Sequence, residues 1–365
     1  MGNSTSEDLW VPEMPSCPGP AVCIIEAAVV IAVVFLILVG NVSNLIVLLS
    51  TRSLRNSHGY LLLSLSVADL MTGLMASLAV YPSATLQSSP DSWPYGDTVC
   101  LVAAYIKQIG ITNSSITLML LSVERYIAVV HPLRYTRVVT KKVTLVCISV
   151  VWLFSAGFFS IIFAGFPEHL YFSTLYVCLP QLFSTNALAF FLLGSVTAPM
   201  LVIIITSCAV GRKLRAGFQG SRDADTREYG TGIKVKTFRM VQVMTATFIL
   251  CYVPFFTLLF VSLFAFISMP QVVAFGVYWL LLANSFFNTL IYFKMNTTFR
   301  ARIHELLGYL AAKVSPRLTS EKHDSHSTRE SSYTKSYANS FTATDGNSLA
   351  TSTMSMSIHC HDSNI

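Results

Sequence analysis

Seven stretches of mostly apolar residues alternate with short polar connectors along the first 312 positions, near 24–50, 59–83, 98–129, 143–165, 186–211, 237–266 and 272–293. A helix that crosses a bilayer takes about 20 such residues, so each stretch is long enough. The pattern predicts an all-α membrane protein, a seven-transmembrane helix bundle over 24–293 behind an outer N-terminal segment over 1–23. A shorter pattern follows: Phe299, Ile303, Leu306 and Leu310 share one helical face, with Arg300 and Arg302 beside it. That spacing predicts a short amphipathic eighth helix over 294–312, lying on the inner leaflet. From 313 to 365 the chain is rich in Ser and Thr and poor in apolar residues, which predicts a disordered cytoplasmic tail open to phosphorylation.

Composition agrees with a lipid solvent. The chain is 53% hydrophobic and 12% charged, against about 25% charged in soluble domains. The first apolar run follows a polar, acidic stretch rather than a basic one, so it reads as a membrane helix and not a cleavable signal. Of the 24 Lys and Arg, all but Lys107 fall on one side of the predicted spans. They follow helix 1 (Arg52, Arg55) and helix 3 (Arg134 to Lys142), surround the loop between helices 5 and 6, and follow helix 7. The positive-inside rule then places the N-terminus outside and the C-terminus inside, an asymmetry that requires an odd number of spans. These basic loops lack the soluble domain or aromatic platform of a nucleic-acid binder.

Cys100 and Cys178 both face the outer, oxidising side, where a bridge would pin the second outer loop across the bundle. Cys17 and Cys23 are also external and able to pair, and sequence does not fix connectivity. Cys147, Cys208 and Cys251 are membrane-embedded packing residues. Asn3 heads an external glycosylation sequon.

Buried polar groups are expensive in a membrane and mark function. Asp69 lies mid-helix 2, Asn41 in helix 1, Ser114 in helix 3, and Asn284, Ser285 and Asn288 in helix 7. A carboxylate ringed by hydroxyl and amide oxygens is able to hold a hard cation. Gly40-Asn41, Leu65-Ser66-Val67-Ala68-Asp69, Glu124-Arg125-Tyr126, Trp152, Pro199, Cys251-Tyr252-Val253-Pro254 and Asn288-Thr289-Leu290-Ile291-Tyr292 occur in one order. In that order the chain resembles the rhodopsin-like (class A) G-protein-coupled receptors over roughly residues 20–312. Cys100 also precedes Arg125 by that family's spacing.

The resemblance implies a plasma-membrane receptor passing an extracellular signal to a heterotrimeric G protein. Glu124, Arg125, Tyr126 and Leu133 match its coupling surface, with Lys234 at the inner end of helix 6. Asp69, Ser114, Asn284, Ser285 and Asn288 match its sodium cluster, which makes a sodium ion the one expected allosteric modulator and no other cofactor. Pro199, Phe248, Pro254, Asn288 and Tyr292 match its switch positions. Arrestin and receptor kinases are implied partners of the tail. Ser363-Asn364-Ile365 has the pattern of a PDZ-domain ligand.

This sequence also departs from the family. Tyr252 replaces the helix-6 tryptophan, either as a plain aromatic exchange or as an altered switch. Thr289 replaces a proline, so helix 7 is expected to run straighter. Ser207 stands where a tyrosine is usual, and Lys234 where an acid often pairs with the arginine. Two cations repel, which predicts appreciable basal activity. Lys107 occupies the site where amine receptors carry an aspartate and argues against a monoamine ligand. It either receives an anionic head group among Phe159, Phe163, Phe190, Phe255, Phe256 and Tyr278, with Tyr252 below, or pairs internally with Glu26, Asp97 or Glu168.

Other readings weaken on inspection. A retinal-binding opsin needs a Schiff-base lysine in helix 7, and 271–293 has none. A transporter calls for several ionisable groups or repeats in the membrane, and an enzyme for converging catalytic groups. The histidines, His58 among them, read as solvated loop residues. A non-signalling scaffold or heteromer partner is the remaining alternative, motivated by Tyr252, Thr289 and Ser207. Within the family, short segments are most similar to a small pair of vertebrate orphan receptors coupled to stimulatory G protein, which would imply cyclic AMP signalling and a second outer loop lying in the pocket.

Overall fold

The computed structural model of the protein describes residues 19–85, 93–165, 169–180, 186–220, 228–265 and 270–314. The helices are α1 (Pro20–Ser50), α2 (Ser57–Ala76), α3 (Val80–Ala84), α4 (Asp97–Val130), α5 (Pro132–Val138), α6 (Lys141–Gly165), α7 (Asn186–Gly220), α8 (Glu228–Ala265), α9 (Gln271–Met295) and α10 (Thr297–Val314). A two-stranded antiparallel hairpin, β1 (His169–Phe172) and β2 (Val177–Pro180), lies between α6 and α7. A 3-10 turn, Ser77–Ala79, joins α2 to α3 as one span.

The period of buried positions explains the assembly. Along α1, Cys23, Glu26, Val30, Val34, Ile37, Asn41, Asn44 and Leu48 are buried, a spacing of three and four that forms one stripe. The opposite face exposes Ile24, Ile31, Phe35 and Leu49, as a lipid-facing surface does. The same holds for Leu153 and Ile161 on α6 and Ile205 on α7.

Among the described helices, six are long and apolar enough to cross a membrane. The other long one is α4, at 34 residues. Its buried Lys107, Thr112, Asn113, Ser114, Ser115 and Glu124 lower its hydropathy, because it packs against α2, α6, α7 and β2 and touches little lipid. Close approach of α2 and α4 depends on Gly110, where an added Cβ would clash with Thr72 Oγ1 and come within 2.9 Å of the Ala68 carbonyl oxygen. Small residues serve this purpose where two membrane helices meet. Pro199 lies inside α7 and Pro254 inside α8, each removing one backbone donor.

Candidate functional site

Three polar assemblies stand along the bundle. At the inner end, Glu124 is buried and holds four contacts with three side chains. Its Oε2 lies 2.6 Å from Arg125 Nε, and Oε1 accepts from Arg125 Nη2 at 3.1 Å. Tyr135, on the connecting helix α5, donates its hydroxyl to Oε1 at 2.6 Å. His58 Nδ1, in the first turn of α2, lies 3.2 Å from Oε2. Burial and the bond to Glu124 push the Tyr135 phenol up to about 12, so it stays a donor at any physiological pH. Above this knot is a small internal space of about 20 Å3, bounded by Arg125, Met240, Met244, Phe248 and Tyr292.

The expectation for His58 is therefore corrected. It is a helix residue against a buried carboxylate, with its ring edge-on to Tyr292 at 6.4 Å, not a solvated loop residue. Leu133 is 94% exposed on α5, and Tyr126 packs edge-on against His131. The backbone of Lys234 is helical, while its side chain lies outside the described residues.

In the middle, Asp69 is fully buried. Ser285 donates to its Oδ1 at 2.8 Å and Asn288 to its Oδ2 at 3.1 Å. Ser114 faces the same carboxylate without full hydrogen-bond geometry, and neither polar atom of the buried Asn284 side chain has a partner. Asn41 donates to the Ser285 carbonyl at 3.1 Å. Thr289, where proline is usual, accepts from Asn44 at 2.9 Å. Ser207, where a tyrosine is usual, meets Thr245 of α8 at 2.9 Å. Phe248 and Tyr252 stack at 4.3 Å, and Tyr252 stacks on Phe256 at 6.3 Å.

At the outer end, Cys100 and Cys178 form a disulfide. Cys23 is also disulfide-bonded, whereas Cys17, Asn3 and the tail lie outside the described residues. The hairpin folds inward, burying Phe172, Leu175, Tyr176, Val177 and Cys178. Tyr176, at φ 57, donates to Glu26 at 2.9 Å, and Trp279 donates to the Leu175 carbonyl at 3.3 Å.

Lys107 is buried, donates to the Cys178 carbonyl at 3.0 Å and lies 5.6 Å from the Tyr278 ring centre. Of the two readings of Lys107, pairing with Glu26 or Asp97 is not seen: Glu26 accepts from Tyr176, and the Lys107 side chain turns to the Cys178 carbonyl. Glu168 and the Phe190 side chain lie outside the described residues. Phe159 and Phe163 pack with Trp93 and the Cys100–Cys178 bridge, while Phe255 meets Tyr278 edge-on at 6.0 Å.

The family described as 7 transmembrane receptor (rhodopsin family) matches residues 40–292. The chain belongs to it. This receptor is 30% identical over 294 residues to the somatostatin receptor type 5 of Bos taurus, which covers 77% of this chain and 76% of that one. It is 27% identical over 291 residues to the Tachykinin-like peptides receptor 86C of Drosophila melanogaster, covering 75% of this chain but only 56% of that receptor's length. Over 319 residues it is 24% identical to the Alpha-1A adrenergic receptor of Oryzias latipes, covering 77% and 67%. The receptor is a multi-pass membrane protein and not an enzyme.

Sequence reasoning missed His58, Tyr135 and Tyr176 in the rhodopsin-family receptor. Each is a single polar residue in or beside a connecting segment, and the partners of His58 and Tyr176 are far away in sequence. The one available signal was chemical: Glu124 is buried at a helix end, and such a carboxylate needs more donors than one arginine supplies.

Proposed function

We propose that this receptor relays a non-monoamine stimulus at its outer face to a heterotrimeric G protein, with a basal output restrained chiefly by Glu124. The Glu124–Arg125 contact carries this reading. Breaking the pair would leave the buried Glu124 carboxylate short of its cation, which is costly, and the pair occupies the arginine that the family presents to G protein. Releasing Arg125 would free a cation at the inner face, where the exposed Leu133 supplies an apolar side chain. Lys234 adds no acid to hold Arg125, which supports leakage from the resting state.

The ligand reading rests on Lys107, whose charge repels an ammonium. The Asp69 cluster fits a sodium ion: a carboxylate, the Asn284 carbonyl oxygen without a partner and the Ser114 hydroxyl are hard oxygen donors. Asp69, Ser114, Asn284, Ser285 and Asn288 would hold it, and its charge would favour the resting arrangement. Arrestin, receptor kinases and a PDZ-domain protein at Ser363-Asn364-Ile365 are the partners proposed for the tail, at a plasma membrane with the N-terminus outside.

Expressing the wild type, Arg125→Ala and Lys234→Glu with a panel of G-protein dissociation sensors, without ligand, tests the proposal. Signal above mock in the wild type, lost in Arg125→Ala and reduced in Lys234→Glu, supports it. A wild type indistinguishable from mock and from Arg125→Ala, at matched surface expression, removes the basal-signalling claim.

A further inference from the structure

A cleft of about 250 Å3 opens between α7 and α8, in the half of the bundle that carries the Cys100–Cys178 bridge. Val196, Thr197 and Met200 form its α7 wall, and Val253, Phe256, Thr257 and Phe260 its α8 wall. The volume is smaller than the roughly 300–1,000 Å3 of a drug-sized pocket, and it suits a slender ligand. Among the described residues its lining is apolar apart from two hydroxyls, with no charged side chain to reward a charged ligand.

What can reach the cleft is fixed by its surroundings. Both helices are membrane spans, and Leu201, Ile205, Leu250, Val253 and Phe260 around the opening are exposed. The opening therefore faces hydrocarbon. From the outer side, the hairpin buries Phe172, Leu175 and Tyr176 in the bundle, with Lys107 and Trp279 tied to its backbone. The innermost wall, Phe256, begins the ring stack through Tyr252 to Phe248, and Phe248 bounds the internal space beside Arg125.

We propose that this cleft is a binding site for one acyl chain of a membrane lipid, entered sideways from the bilayer. This deepens the functional reading above by naming a ligand class, and it rests on that reading only for its consequence on signalling. The chain lies between α7 and α8 with its terminus against Phe256, and the head group stays at the interface.

The test uses the full-length receptor in phosphatidylcholine nanodiscs containing a trace of phosphatidylcholine with a diazirine near one acyl terminus. A parallel arm adds the corresponding diazirine fatty acid from solution. After irradiation, adducts are mapped by peptide sequencing. The expected result is labelling concentrated on 196–200 and 253–260, above that on the lipid-facing Leu153 and Ile161 of α6, and competed by excess unlabelled lipid. Val253→Trp and Thr257→Trp, which fill the cleft, lower it roughly tenfold and leave α6 labelling unchanged.

Labelling from the lipid arm assigns a bilayer source, and labelling only from the fatty-acid arm overturns that source. Cleft labelling no denser than α6 labelling, or labelling that unlabelled lipid does not compete, overturns the site, and the wild-type competition decides this even if a Trp variant fails to fold. Arg125→Ala separates the two readings, since it abolishes signalling while cleft labelling persists.

Discussion

Tyr135 donates its hydroxyl to Glu124 across 2.6 Å, tying the short helix α5 to the carboxylate that grips Arg125. Hydrogen bonds to a charged group contribute about 1.5–3 kcal/mol, and part of that stabilises the resting arrangement over any in which Glu124 lets go. Tyr135→Phe keeps the ring and removes the donor. Basal G-protein dissociation is expected to rise about two- to tenfold, the range that about 0.5–1.4 kcal/mol represents. His58→Phe, which removes the nitrogen 3.2 Å from Oε2, acts in the same direction. Basal output in both variants equal to wild type at matched surface expression sinks the claim that these residues hold the latch.

The Asp69 cluster predicts a sodium effect on stability. An ion that binds the folded state raises stability by mass action, and Asp69 supplies the only carboxylate among the residues proposed to hold it. Replacing choline chloride with sodium chloride at constant ionic strength should raise the melting temperature of the purified wild type by a few degrees. In Asp69→Asn the shift should vanish. Equal shifts in the two proteins rule out a sodium site on Asp69.

Gly110 predicts a steric effect that needs no ligand. Its missing Cβ lets α4 approach the Ala68 carbonyl and Thr72 Oγ1 of α2. A backbone oxygen cannot rotate away, so Gly110→Ala should destabilise by about 1–3 kcal/mol, as overpacking does. Gly157→Ala is the control, because nothing lies within 4 Å of a Cβ there. A melting temperature for Gly110→Ala as high as that of Gly157→Ala contradicts the tight contact.

How legible these features were in the sequence depends on the physical reason behind each. Hydrocarbon imposes length and apolarity on every span, so the helices could be read directly from 24–293. Helix α4 shows the limit of that signal: at the centre of the bundle it carries Asn113, Ser114 and Ser115 buried, and it was legible by position and length more than by hydropathy. Asp69, Ser285 and Asn288 were legible as a set because buried polar groups in a membrane seek each other. Lys107 was legible as an anomaly, but its partner is the Cys178 carbonyl, and every residue offers a carbonyl, so no sequence pattern points to one. His58 was misread because one histidine beside a loop looks solvated until the fold brings Glu124 to it.

Thr289 was legible as a departure, but the role of its hydroxyl was not. The expectation concerned only backbone straightness. In the structure its hydroxyl accepts from Asn44 at 2.9 Å, and its side chain fills the space beside Gly40, where an added Cβ would lie 3.2 Å away. Threonine thus joins α9 to α1 by both a hydrogen bond and a close contact. Thr289→Val preserves shape and removes the acceptor, stranding a buried amide whose Oδ1 already lacks a partner. An unsatisfied buried donor costs about 1–3 kcal/mol, so the variant should melt several degrees below wild type. Thr289→Ser keeps the hydroxyl and should lose less. Thr289→Pro restores the family's usual residue but removes the hydroxyl and an amide donor together, so it should melt below wild type as well. Thermal unfolding of the four proteins by intrinsic fluorescence ranks them, and a Thr289→Val midpoint equal to wild type denies the α1–α9 tie.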